Sequence, residues 1–349
     1  MHRRRGSISA ACAGLAALLA LPALAQARTQ IVWAGGPPDF QTQLGRVYSA
    51  EANDFFPRTA TIHAGDSIEW KGMSINFHSI DLPGRSGADL PLITPTGTLV
   101  SGVKDAAGNP FWFNGLPNVG FNPQLLAPLD ASTYDGTERV DSGLPFGPPS
   151  DFRVTFTKPG VYEYFCDVHY DMRGFIVVKG ADDRVPSAEF YAKRVAKQTA
   201  EDVKIAQSLV SKASSNPNEV NLGEAGSDNV EILAMFPSTL HVHTGATVTF
   251  EMSPLTGETH TATFGPDDYI PNAFLNPILD PRGVYPSSPT LPIDLEPHSH
   301  GNGFANTGAL DRDPTTPLPP DSKITFSKPG VYHYECLIHP FMRGTVIVS

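Results

Sequence analysis

Apolar and polar residues alternate with period two in two stretches that nearly repeat each other. FTKPGVYEYFCDVHYDMRGFIVV, Phe156 to Val178, returns 170 residues later as FSKPGVYHYECLIHPFMRGTVIV, Phe326 to Val348. Within Val161–Cys166, Tyr162, Tyr164 and Cys166 share one face, and Val161, Glu163 and Phe165 share the other, as in a half-buried strand. Lys-Pro-Gly ahead of each strand supplies a turn, since Pro fixes its own φ and Gly accepts a positive one. A second pair, FFPRTATIHAGDSIEW (Phe55 to Trp70) and MFPSTLHVHTGATVTF (Met235 to Phe250), is related by a shift of 180 and reads as strand, turn, strand. Because the two blocks keep their order, the pattern predicts a duplicated domain: all-β, two β-sandwiches.

Between the repeats the period changes. Ser187 to Ala213 contains no Gly or Pro, and Ala188, Ala192, Val195, Thr199, Val203, Ala206 and Val210 recur every three or four residues. This predicts a linker helix capped by Ser187, either docked on one domain through its small-residue stripe or free as a spacer. The expected division is a leader at 1–27, a first β-domain at 28–180, a helical linker at 181–228 and a second β-domain at 229–349. Long Pro/Gly-rich stretches, Leu82 to Ser150 and Gly265 to Pro320, interrupt both domains.

The leader has Arg3, Arg4 and Arg5, an apolar run from Ala10 to Leu24, and small residues at Ala23, Ala25 and Ala27, the pattern of a secretory signal peptide. The expectation is a periplasmic or extracellular protein with no integral membrane segment after cleavage, since the run is short for a span. The full chain carries 25 Lys+Arg and 36 Asp+Glu, a net −11. Losing three arginines and no acid with the leader leaves 22 against 36, a net −14. So acidic a chain lacks the cations that nucleic-acid binding requires.

Of three cysteines one lies in the leader, leaving Cys166 and Cys336. Each opens a C-x2-H-x2-M run: Cys166, His169, Met172 and Cys336, His339, Met342. Each repeat also holds one matched upstream histidine, His78 in NFHSI and His260 in ETHTATF. One Cys, two His and one Met are the ligands of a type 1 (blue) copper site, a His2Cys plane with a weak axial Met. Thiolate and thioether suit Cu(I), and imidazole suits both oxidation states. A disulfide between the two cysteines would dismantle both sets. Two type 1 coppers per chain are therefore expected.

With these residues in view, both repeats resemble the cupredoxin (plastocyanin/azurin) family, and CLIHPFMRG and CDVHYDMRG resemble amicyanin-type ligand loops. The resemblance covers the start and end of each domain, not the long middle stretches or the helix. It implies two Greek-key β-sandwiches joined by the linker helix, with copper at one end of each and with His169 and His339 partly exposed as electron routes. It also implies that Ser79 and Thr261 hydrogen-bond across to the cysteine loops.

No His stands beside either cysteine: Cys166 is flanked by Phe165 and Asp167, and Cys336 by Glu335 and Leu337. Multicopper oxidases and copper nitrite reductases place one there, so that wiring is absent. The chain reads as an electron carrier working with a redox partner protein, rather than as an enzyme. Two alternatives stand beside it: a copper-binding and delivery protein, or an oxidoreductase with a further copper or zinc site built from His241, His243, His298 and His300 at a domain or subunit interface. His63 and His333 read as exposed or structurally bonded. Pro340 and Phe341 give the second loop an apolar rim for partner docking, whereas Tyr170 and Asp171 make the first polar. An anion beside copper favours Cu(II), so the first site should have the lower potential. Redox titration of the Cys166→Ser and Cys336→Ser variants measures the two midpoints separately.

Overall fold

The computed structural model describes residues 27–73, 77–87, 89–95, 119–129, 132–144, 151–211, 216–264, 293–295 and 305–349. Residues 1–26, nearly half of the first Pro/Gly-rich stretch and most of the second, with His298 and His300, lie outside the described residues. Among the described residues no helix is long and apolar enough to cross a membrane.

The architecture is the expected one, mostly β, with two sandwiches and a helix between them. In the N-terminal half one sheet runs in the order Phe55–Phe56, Thr29–Ala34, Ser67–Lys71, Phe152–Phe156, Thr133–Tyr134. Facing it are Val140–Asp141, Asp81–Leu82, Gly160–Phe165, Arg173–Lys179 and Thr59–His63. The C-terminal half repeats this order strand for strand: Val230–Phe236, Glu219–Ala225, Thr247–Met252, Asp321–Phe326, Ile293–Leu295, then Ala305–Asn306, Thr263–Phe264, Gly330–Glu335, Arg343–Val348, Thr239–Val242.

Alternation does the sorting, as period two puts every second side chain inside. Tyr164 and Cys166 are buried with Trp70, Phe55 and Ile176, while Val161 faces solvent. Tyr334 and Cys336 are buried with Phe250 and Phe264. Across the hairpin, Gly174 pairs with Tyr164 and Gly344 with Tyr334. A Cβ at either glycine would lie 2.3 Å from the tyrosine ring. The Arg-Gly after each methionine therefore makes room for the ring that closes the core beneath the site.

One strand leaves its own half. Ala50–Ala52 joins the C-terminal sheet, antiparallel to Val230–Phe236, with Ala52 opposite Val230, Glu51 opposite Glu231 and Ala50 opposite Ile232. Residues 50, 51 and 52 are the repeat counterparts of 230, 231 and 232. The pairing is thus what a two-fold axis through Glu51 and Glu231 would generate.

The helix is Ala188–Leu209, and the Ser187 hydroxyl accepts from the Phe190 N–H, as the capping expectation required. Its inward face is shifted from the predicted stripe. Tyr191, Asp202, Ala206 and Leu209 are buried, while Ala188, Ala192 and Val210 are exposed. The shift has polar causes. The Tyr191 hydroxyl bonds to the backbone of Thr61 in both directions, and Gln198 donates to Asp54 and to the Phe55 carbonyl. Ala206 and Leu209 pack with Phe56, Ala52, Val230 and Ile232, so the helix seals the seam between the halves and is not a free spacer.

Asp202 sits on that buried face, 1% exposed, with no hydrogen bond to either carboxylate oxygen. Burial, and then Asp54 and Asp228, push its carboxyl up to about 8, against about 3.9 in an unfolded chain. A folded value above the unfolded one adds stability below about pH 4 that is lost as pH rises towards 8. Asp202→Asn should therefore match the parent near pH 4 and exceed it by on the order of a few kcal/mol near pH 9. Urea unfolding at both pH values measures this; equal stability at pH 9 would show that the carboxylate has a partner.

Candidate metal centres

Each cysteine ends a strand and each loop folds back in the same way. The Cys166 N–H donates to the Met172 carbonyl at 2.9 Å and the Met172 N–H to the His169 carbonyl at 3.1 Å. In the second loop the matching bonds, Cys336 to Met342 and Met342 to His339, are 3.0 and 2.8 Å. Three residues after each cysteine the chain has turned enough for the imidazole to face the sulfur. Both methionines close their loops within the same apolar clusters as the cysteines. The upstream histidine stands three residues ahead of the short strand at Asp81 or Thr263, which pairs with the end of the cysteine strand in the same sheet.

The donors converge. His78 Nδ1 and His169 Nδ1 are 3.0 Å apart, and Cys166 Sγ lies 3.9 and 3.4 Å from them. In the second half His260 Nδ1 and His339 Nδ1 are 3.1 Å apart, with Cys336 Sγ at 3.8 and 3.7 Å. Atoms about 2 Å from a common ion have mutual separations of this size. Both cysteines are free and buried, so no disulfide joins them. Met172 and Met342 are buried at the same ends of the sandwiches.

The electrostatics favour a thiolate. Burial alone would raise the Cys166 thiol, but His169 and then His78 draw it well below its ordinary value. Cys336 behaves alike, drawn down by His260 and His339. The Ser79 and Thr261 backbone N–H groups donate to the two sulfurs at 3.4 Å. The side chains of the same residues tie the loops: Asp167 N–H donates to Ser79 Oγ, and Leu337 N–H to Thr261 Oγ1, both at 2.8 Å. Two imidazole nitrogens facing one thiolate in a dry pocket form a soft-cation donor set, and the residues fit copper.

The halves present these ends to each other, and this overturns one expectation. His169 is 3% exposed, covered by the C-terminal half and not open to solvent. Its Nε2 lies 3.0 Å from Glu258 Oε1, while Glu258 Oε2 lies 3.8 Å from His339 Nε2. Asn53 donates to Glu258 at 2.7 Å. Burial and the Glu258 charge push the neighbouring Glu51 carboxyl well up, whereas Glu258, despite its burial, is held well down by His169. His260 Nε2 meets Glu231 Oε1 at 3.2 Å, but His78 Nε2 is buried without a hydrogen bond. Each site thus has one close carboxylate, on the upstream histidine in one and the loop histidine in the other.

The loop itself is docked: Tyr170 N–H donates to the Gly257 carbonyl at 3.1 Å. Asp171 ion-pairs with Arg173, so it is no isolated anion at the site and the potential difference expected from it loses that basis. The second loop keeps its rim: His339 is 15% exposed at its side chain and Phe341 is 63% exposed.

The spare histidines do not gather. His241 and His243 are exposed and belong to no donor cluster among the described residues. His63 Nε2 bonds to the Asp183 carbonyl, and His333 Nδ1 to Thr345. Sequence reasoning missed Glu51, Glu231 and Glu258. A signal was there: Glu51 and Glu231 are repeat counterparts, two acids inside otherwise apolar segments.

No protein-family model and no curated protein matches the chain. Among similar solved structures, a Cu(I) form of an amicyanin variant is 18% identical, covers 40% of this chain and 87% of its own, and has a TM-score of 0.23. A mutant plastocyanin of fern is 19% identical, covers 38% and 99%, and has a TM-score of 0.22. Likeness at this level carries no weight beside the geometry.

A carboxylate on the far nitrogen of a ligand imidazole fixes its orientation and raises its basicity. Glu258→Gln should therefore weaken metal binding at the first site about 10-fold or more, read by Co(II) titration in a Cys336→Ser background. In a Cys166→Ser background the second site, whose contact is 3.8 Å, should change less. Equal losses would reject the unequal role.

Proposed function

We propose that this chain is an exported two-site copper protein that carries electrons to or from a redox partner. One observation carries the reading: twice in the chain, two imidazole Nδ1 atoms and a cysteine sulfur converge within 3.9 Å in a buried pocket, with a backbone N–H on each sulfur. His78, Cys166, His169 and Met172 would hold one copper, and His260, Cys336, His339 and Met342 the other. Bound copper would supply one-electron chemistry.

The protein's own contribution is a rigid, dry cage. The backbone bonds within each loop fix the histidine relative to the cysteine. The N–H donors on sulfur stabilise the thiolate in the absence of water. Tyr164 and Tyr334 fill the space beneath. A cage that cannot relax changes little between oxidation states. The apolar rim of Pro340 and Phe341 beside His339 suits partner docking, since an exposed aromatic at a polar-rimmed patch is a common interface anchor.

A delivery role favours open donors, and all of the Cys and His donors but His339 are buried. An added catalytic metal would need the spare histidines, and the described ones belong to no donor cluster of three or more.

Copper titration followed by visible absorption and EPR tests the proposal. Two equivalents should give an intense charge-transfer band towards the red and narrow hyperfine splitting, and Cys166→Ser and Cys336→Ser should each remove one equivalent. A colourless, EPR-silent oxidised protein would reject it.

A further inference from the structure

A second cluster of donors includes Asp167, the residue next to Cys166, and the electron-transfer reading leaves it unused. Single carboxylate oxygens of Asp81, Asp89 and Asp167 all lie within 4.8 Å of one another. They come from three places: the short strand after His78, the first Pro/Gly-rich stretch, and the position next to Cys166. Asp141 stands beside them, paired in register with Asp81.

The hydrogen bonds around the cluster can be followed oxygen by oxygen. Arg139 Nε donates to Asp81 Oδ1 at 2.9 Å, and its terminal nitrogen donates to Asp141 Oδ2 at 2.6 Å. The Gly143 N–H takes Asp141 Oδ1, and the Ser79 hydroxyl donates to Asp167 Oδ2. Three oxygens remain without a hydrogen bond: Asp81 Oδ2, Asp89 Oδ1 and Asp167 Oδ1, the last 3.7 Å from Arg139. Asp81 is wholly buried and Asp167 6% exposed. One guanidinium thus serves three of the carboxyl groups, Asp81, Asp141 and Asp167, and orphaned buried oxygens are costly unless something meets them.

The C-terminal half is an internal control. There Thr263 stands for Asp81 and Leu337 for Asp167 by repeat position, and the Thr263 hydroxyl is bonded to Thr261 at 2.8 Å. At these two described positions the same fold closes over the same kind of site without an acid, so Asp81 and Asp167 are not a requirement of the sandwich.

We infer that Asp81, Asp89 and Asp167 hold a divalent cation with a preference for hard oxygen ligands, calcium or magnesium. Carboxylate-only donors exclude a soft metal and fit these ions, which complete their shells with water. The cation would meet all three orphaned oxygens and tie the stretch carrying Asp89 to the cysteine strand. The carboxyls resist ionising: burial holds Asp81 at about 6 against the pull of Arg139, and burial, then the Asp81 charge, holds Asp89 at about 7.

Calorimetric titration of the chelator-treated full chain with calcium chloride, and separately with magnesium chloride, tests this. One equivalent of one ion should bind, at a stoichiometry unchanged in Cys166→Ser, which separates it from copper binding. A free concentration a hundred times Kd should raise the folding equilibrium constant about a hundredfold in thermal or urea unfolding. Asp89→Asn, on the inserted stretch, should abolish the heat while leaving the copper spectrum in place, and Asp81→Asn should do the same. No heat with either ion means the oxygens share protons instead and overturns the inference, as does binding that survives both substitutions.

Discussion

Much of the molecule depends on a three-residue antiparallel pairing. Ala50–Ala52 leaves the N-terminal sandwich and adds itself to the edge of the C-terminal one, opposite its own repeat counterpart. An edge strand offers unpaired N–H and C=O groups, and filling it from the other half satisfies them. Because counterpart pairs with counterpart, the halves meet about a two-fold relation, and equivalent ends of the sandwiches come face to face. The ends brought together are those with the cysteine loops. Helix Ala188–Leu209 then covers the outside of the seam with Ala206 and Leu209.

Near-symmetry makes the departures informative. Glu51 and Glu231 lie opposite each other, yet Glu231 meets His260 while Glu51 feels the charge of Glu258. Glu258 itself stands between two loop histidines of different halves, at 3.0 and 3.8 Å. A charge on one carboxylate is therefore felt at both sites, and neither can be altered without some effect on the other. A duplicated fold has been used to build one composite centre from two copies of a single-site unit.

What was legible in the sequence follows the range of the interactions. C-x2-H-x2-M is local, so strand, turn and ligand spacing could be read directly, and the donors do converge. His78 and His260 are remote from the cysteines but are revealed by repetition. The Ser187 cap needed only its own helix. The burial of His169 was not legible, because it depends on Gly257 and Glu258 of the other half, which no local pattern links to Cys166. The helix face was misjudged by about one residue because Tyr191, Gln198 and Asp202 are polar or aromatic and bury for hydrogen-bonding reasons that an apolar stripe omits. The carboxyl group formed by Asp81, Asp89 and Asp167 is spread over distant positions and has no spacing rule to expose it.

The Tyr170–Gly257 bond closes the first loop against the other half, and this gives the chain an order of assembly. The second site keeps a solvent edge through His339 and can exchange with its surroundings in the finished fold. The first has no such edge. A metal ion reaching it would have to arrive before the halves dock, or wait for them to part, so filling of the same donor set would be governed by equilibrium at one end of the seam and by the lifetime of a closed interface at the other.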